Sequence, residues 1–206
     1  MFEEVSLSQT RRLVRLAVWA AFMALGAWVS LPIGPVPITL QTFFIFLAAF
    51  VDGPRAALAV LLYLGAGLLG LPVFAGGLAG PALVFGPTAG YALAFPLMAL
   101  ICGLGRANLA SLKTKAKAQS TNQKRPAGPA LARTLFFGLL GLAFVYLSGS
   151  IGLVLNAGFS FGAALALNVT FIPGDAAKVV AAALVAFGLT RSGAGSFSRG
   201  EAKQNF

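Results

Sequence analysis

The chain has 206 residues, 58% of them hydrophobic and only 10% charged, with 15 Lys and Arg, 5 Asp and Glu and no His. A soluble domain carries charge on roughly a quarter of its residues. The composition therefore excludes a water-soluble globule, a disordered chain and a coiled coil, and leaves one polytopic membrane domain with a net charge of +10.

Residues 1–12 read as a cytoplasmic N-terminal segment. Arg11, Arg12 and Arg15 lead into a first span over 13–31, with no small-residue cleavage site before Pro32, so this is not a removable leader. The apolar stretch 38–51 follows and is short for a hydrocarbon core of roughly 30 Å. Asp52-Gly53-Pro54-Arg55 is a turn with charges at an interface. The third span covers 56–71. Residues 72–86 depart from helix, with four Gly and two Pro. The fourth span covers 87–105 and a basic polar loop covers 106–133. The fifth span covers 135–155. The apolar run 159–190 is broken at Pro173-Gly174, and its second part, 175–190, is read as the core of the sixth span. Whether 159–172 extends that helix or forms a separate segment stays open. A polar tail, 191–206, ends the chain.

With the N-terminus in the cytoplasm and six crossings, 14 of the 15 basic residues fall inside: Arg11, Arg12, Arg15, Arg55, Arg106, Lys113, Lys115, Lys117, Lys124, Arg125, Arg133, Arg191, Arg199 and Lys203. The positive-inside rule thus predicts six spans with both termini cytoplasmic and a membrane domain over 13–190. The basic loop is a solvated cytoplasmic face with affinity for anionic membrane lipid. No aromatic residues interleave it in the manner of a nucleic-acid site.

Lys178 is the basic residue that orientation does not absorb. It stands three residues after Asp175 in an otherwise apolar segment, so both lie on one helix face. Ionisable groups at membrane depth are expensive and mark sites. Counting back from Thr190 puts Asp175 about 22 Å from the inner end, in the outer half of the bilayer. Asp175 after Pro-Gly also fits an N-cap, and Lys178 then pairs with it and snorkels outward. A carboxylate beside an ammonium equally suits a ligand with N–H groups at one end and a carboxylate at the other. In the external segment, Gly76, Gly77 and Gly80 permit close approach and a moving lid, with Phe74, Phe85 and Tyr91 as candidate pocket walls; an ordinary turn is the plainer reading. Thr39 and Gln41 either face a cavity or cap the second span. Ala17/Ala21 and Ala20/Ala24 are small-xxx-small pairs that let another helix approach. There is no P-loop, and without His there is no Ser-His-Asp or Cys-His set. With one Cys and no His, a disulfide or a zinc or iron site is not expected, nor is a cofactor or an enzymatic activity.

Four segments in order resemble the BioY family, the biotin-specific substrate-binding (S) components of energy-coupling-factor (ECF) transporters: residues 33–44 (IGPVPITLQTFF), 70–77 (GLPVFAGG), 85–91 (FGPTAGY) and 171–178 (FIPGDAAK). The similarity spans about residues 13–190. It implies an all-α, six-helix membrane bundle of the S-component type in the bacterial cytoplasmic membrane, binding biotin for uptake. It implies that Asp175 accepts from the ureido N–H groups and Lys178 holds the valerate carboxylate. Phe74, Gly76 and Gly77 then belong to the substrate site and its gating segment. Ala17, Ala20, Ala21 and Ala24 become candidates for contact with a membrane coupling protein driven by two ATPases. One departure stands out. A further polar ligand that some members carry near the fourth helix has no equivalent here, which leaves the carboxylate to Lys178, alone or with Thr88 and Tyr91. The alternative is an S component or small secondary carrier for another carboxylated vitamin. Monomer and homo-oligomer are both left open.

Overall fold

The computed structural model describes residues 2–118 and 128–191. The tail beyond Arg191 and the middle of the basic loop lie outside the described residues. Among the described residues there are six main helices, α1 (Phe2–Trp28), α2 (Gln41–Asp52), α3 (Ala56–Leu68), α5 (Ala89–Ala118), α6 (Gly128–Ala157) and α7 (Phe161–Arg191), with a single-turn helix α4 (Ala82–Phe85) between α3 and α5. Strands β1 (Ser30–Leu31) and β2 (Ile38–Thr39) pair antiparallel, Ser30 opposite Thr39, in the α1–α2 connection. Pro32, Pro35 and Pro37 keep that connection out of a helix, and Gly34 takes the left-handed turn at φ 71°.

The packing fixes the direction of every helix. Gly26 of α1 lies against Gln41 and Phe44 at the start of α2, whereas Trp19 and Arg15 bond Asp52 at its end, so α1 and α2 are antiparallel. Trp28 then bonds the carbonyl of Pro72 just beyond α3, so α3 runs back alongside α1. At the far end, Gly103 of α5 meets the backbone of Gly53 and Pro54; near the other end, Gly90 meets Ser148 and Gly152 of α6. Gly138 of α6 meets Val179 of α7, while Tyr146 and Ser150 meet Asn168. The result is an up-down bundle in which helices that follow one another in the chain run antiparallel, while α1 packs parallel to α3, and α2 parallel to α5 and α7. The start of α1 and the end of α7 lie at the same end as Asp52, Gly103 and Arg106.

Length and composition qualify Gln41–Leu68, Ala89–Arg106, Pro129–Ala157 and Phe161–Leu189 to cross a membrane. The first of these folds back on itself at Gly53, whose φ of 71° and ψ of −151° no other residue adopts cheaply. Two short helices thus replace one long span. Glycines on facing helices set the closest approaches: a Cβ on Gly103 would sit 2.4 Å from the Gly53 carbonyl carbon, and one on Gly90 would sit 2.3 Å from the Ser148 carbonyl oxygen. The core lies among α2, α3, α5 and α7, built from Ile45, Phe46, Phe50, Val60, Tyr63, Met98 and Val179.

Three sequence expectations change. α7 passes unbroken through Pro173, so residues 161–172 belong to the sixth helix. The preceding turn simply lacks one hydrogen bond, which a long packed helix tolerates. Asp175 is therefore midway along a 31-residue helix and is not an N-cap, and Lys178 is far from any helix dipole end. Helix also extends beyond the expected ends of the fourth span and before the start of the fifth, into the stretch read as basic loop.

Candidate functional site

The absence of a cap role leaves Asp175 to its side-chain partners. Thr42 of α2 donates to Oδ1 at 3.2 Å and Tyr146 of α6 donates to Oδ2 at 2.9 Å. Lys178, one turn on, donates to Asp175 Oδ1 at 2.8 Å, to Thr42 Oγ1 at 3.2 Å and to the Thr39 carbonyl at 2.6 Å. Both side chains are nearly buried, 11% and 13% exposed. A buried ion pair is tolerable only when its remaining valences are filled. Here three elements fill them: β2 and α2 on one side, α6 on the other.

This cluster forms one wall of a cavity of about 60 Å³. Val36, Pro37, Ile38 and Thr39 close it from the α1–α2 connection, and Phe95 of α5, Leu142 and Val145 of α6 and Phe171 of α7 give it an apolar body. Tyr91 of α5 lines it edge-on to Phe171, their ring centroids 6.3 Å apart. The Tyr91 hydroxyl donates to Asn168 Oδ1 at 2.8 Å, and the Asn168 amide donates to Ser150 Oγ at 2.8 Å and to the Tyr146 carbonyl at 3.2 Å. That fully paired network ties α5, α6 and α7 together directly behind the cavity. An apolar body with one concentrated polar wall suits a small amphiphilic ligand.

Of the residues singled out from sequence, Thr39, Asp175, Lys178 and Tyr91 come together at this cavity. Thr88 sits at the outset of α5, its carbonyl accepting from the Ala92 N–H, and is not in the cavity wall. Phe74 is 3% exposed: its ring fills the notch left by Gly67 and packs edge-on to Tyr63, away from the cavity. Gly76 and Gly77 are exposed, with φ of 69° and 74°, in a turn that the Tyr63 hydroxyl anchors at the Val73 carbonyl. Phe85 is 77% exposed. The segment nearest the cavity is the α1–α2 connection. Thr39 serves it through its carbonyl, while Gln41 is buried beside Gly26. Ala17 and Ala21 are exposed on α1; Ala20 and Ala24 are half-buried and face the core. Sequence reading missed Thr42, Tyr146 and Asn168. Asn168 alone carried a signal, as a carboxamide inside an apolar run; the other two are common in spans and gain meaning only from the fold.

The chain has relatives among known proteins. The model of the BioY family matches residues 2–194. The chain is 37% identical over 185 residues to the biotin transporter BioY of Thermotoga maritima, covering 88% of this chain and 96% of that one. It is 37% identical over 172 residues to a probable biotin transporter BioY of Pyrococcus horikoshii, covering 83% and 91%. The crystal structure of the S-component for biotin from an ECF-type ABC transporter superposes with a TM-score of 0.73 at 29% identity, covering 89% of this chain and 93% of the other.

Proposed function

The chain belongs to the BioY family, and we propose that it captures biotin at the Asp175–Lys178 wall as the substrate-binding subunit of an ECF-type transporter. It is a multi-pass protein of the cytoplasmic membrane that serves biotin uptake, and its own chemistry is binding. The observation that carries the site assignment is the ion pair itself: a carboxylate and an ammonium, mid-helix and nearly buried, facing an apolar cavity.

Asp175 presents an acceptor for the ureido N–H groups, and Tyr146 and Thr42 hold its two oxygens in place. Lys178 takes the valerate carboxylate. The valerate chain separates the two ends of biotin, so one extended ligand requires the ammonium to leave Asp175 for its own end of the cavity. The flexible lysine stem permits this. The ammonium also holds the Thr39 carbonyl. A carboxylate is a stronger, charge-assisted acceptor than a neutral carbonyl. Exchange of one for the other frees residues 36–39 and enlarges a cavity that, at about 60 Å³, has room for roughly two waters. The α1–α2 connection is then the moving cover, and the glycine-rich segment 72–86 supports it from the neighbouring rim.

Energy for release comes from partners: a membrane coupling protein against the exposed Ala17/Ala21 face of α1, and two ATPases. Both termini are cytoplasmic in this reading, as the basic residues require.

The test is uptake of radiolabelled biotin by cells that neither make nor import it, expressing the chain alone or with coupling protein and ATPases. Accumulation above an empty vector, raised by the partners and returned to the lone-chain level by inactivating the ATPases, is expected. No accumulation from a chain shown to be in the membrane would refute the function.

A further inference from the structure

Four residues of α7 share one face at steps of three, four and three: Asn168, Phe171, Asp175 and Lys178. The last two are the polar wall, and Phe171 lines the cavity beside them. Asn168 stands two turns before Asp175, behind the wall, and is 4% exposed. Stability does not call for a carboxamide there, because apolar groups of the same shape in place of both partners are nearly neutral. What a fully paired polar network adds is a fixed geometry.

That geometry reaches both tyrosines of the cavity. Asn168 Oδ1 accepts from the Tyr91 hydroxyl, and Nδ2 donates to the main-chain carbonyl of Tyr146, whose own hydroxyl holds Asp175 Oδ2. Ser150 Oγ accepts from the same amide. Tyr91 is clamped on three sides as a result. Its hydroxyl proton is spent on Asn168, so the residue offers its ring to the cavity and not its polar end. Its ring lies over Gly149, where a Cβ would collide with it, and meets Phe171 edge-on. Without the bond to Asn168 the ring is free to swing toward the cavity or away from it. With the bond, the wall stands at one depth.

We infer that Asn168 is a positioning residue for substrate selection: it sets the depth of the Tyr91 wall, and that depth fits the bicyclic head of biotin more closely than a narrower, monocyclic ureido compound. The inference rests on the assignment of the ureido group to Asp175. Phe171 lies one turn from Asp175 on the side away from Lys178. Tyr91 and Phe171 therefore border the ring end of the ligand, and the carboxylate end is beyond their reach.

Desthiobiotin makes the test direct, since it keeps the ureido ring and the carboxylate and lacks the sulfur that closes the second ring. Biotin, desthiobiotin and biotin amide are titrated by calorimetry into the full chain in detergent, native and as Asn168→Leu and Tyr91→Phe. The native chain is expected to favour biotin over desthiobiotin by about tenfold, the low end of what one missing group is worth in an apolar pocket. Asn168→Leu should bring that ratio close to one while the ratio of biotin to its amide stays at the native value. Tyr91→Phe keeps the ring and the bonds of Asn168 to α6. It should lower the first ratio in the same direction, and it serves if Asn168→Leu fails to fold. Weaker binding of all three ligands with both ratios unchanged would reduce Asn168 to a structural role and overturn the inference. Collapse of both ratios together, or equal binding of biotin and desthiobiotin to the native chain, would overturn it as well. A native chain that binds none of the three would instead overturn the assignment of the site, and the inference with it.

Discussion

Asp175 is held by four elements of chemistry at once: an ammonium, two hydroxyls and the apolar wall that keeps water from competing. Removing the carboxylate leaves the Lys178 cation nearly buried with only neutral acceptors, a change that costs about 3–5 kcal/mol for a broken buried pair. Asp175→Asn is therefore expected to lower the thermal midpoint in detergent more than the double change Asp175→Asn with Lys178→Met, which removes both charges. A double variant less stable than the single one would contradict that ordering. Tyr146→Phe removes one hydrogen bond to the carboxylate at nearly constant volume. Biotin should bind about tenfold more weakly, the worth of one hydrogen bond to a charged group, measured by titration calorimetry with the expression level unchanged. The sequence exposed the Asp175–Lys178 pair because charge inside an apolar run is conspicuous. It concealed Tyr146 and Thr42, whose partners lie 29 and 133 residues away.

Helices were legible wherever apolar runs were long, and their ends were not. Proline misled the reading of α7: Pro173-Gly174 has the composition of a boundary, yet the helix passes through because flanking turns and neighbouring helices hold it. Glycine left the α3–α5 segment open between an ordinary turn and part of a binding site. Gly76 and Gly77 do take positive φ, but they serve a turn anchored by Tyr63 and by Phe74 in the Gly67 notch. The glycines that matter for packing are inside helices, where composition gives no hint of them. Gly90 and Gly152 bring α5 and α6 to backbone contact. Gly90→Val would force them apart at a cost of about 1–3 kcal/mol for overpacking. It should also shift Tyr91 and thereby weaken ligand binding. A variant with native thermal midpoint and native biotin affinity would show that the helices can separate freely.

At the scale of the molecule, the alternating helices put the Asp175–Lys178 wall and the Arg15–Asp52 pair at opposite ends of α2. The charge pattern predicts six crossings, with 14 of the 15 basic residues on one side. It also gives a topology test: alkaline phosphatase fused after Phe206 should be inactive and green fluorescent protein there fluorescent, and the reverse pair of results would invert the bundle. The fold-back at Gly53 was readable as a turn, while the two short helices it joins were not distinguishable from a poorly centred span until packing placed them. The central claim is that one ligand is held by its carboxylate on Lys178 and by its ureido group on Asp175. The most direct measurement is a cycle of four dissociation constants: biotin and biotin amide, each titrated into the native chain and into Lys178→Ala. Biotin should exceed its amide by roughly 10- to 100-fold in the native chain, a charge-assisted bond's worth. The two ligands should bind equally to the variant. The same preference for biotin over its amide in both proteins would remove Lys178 from the carboxylate and with it the account of the site.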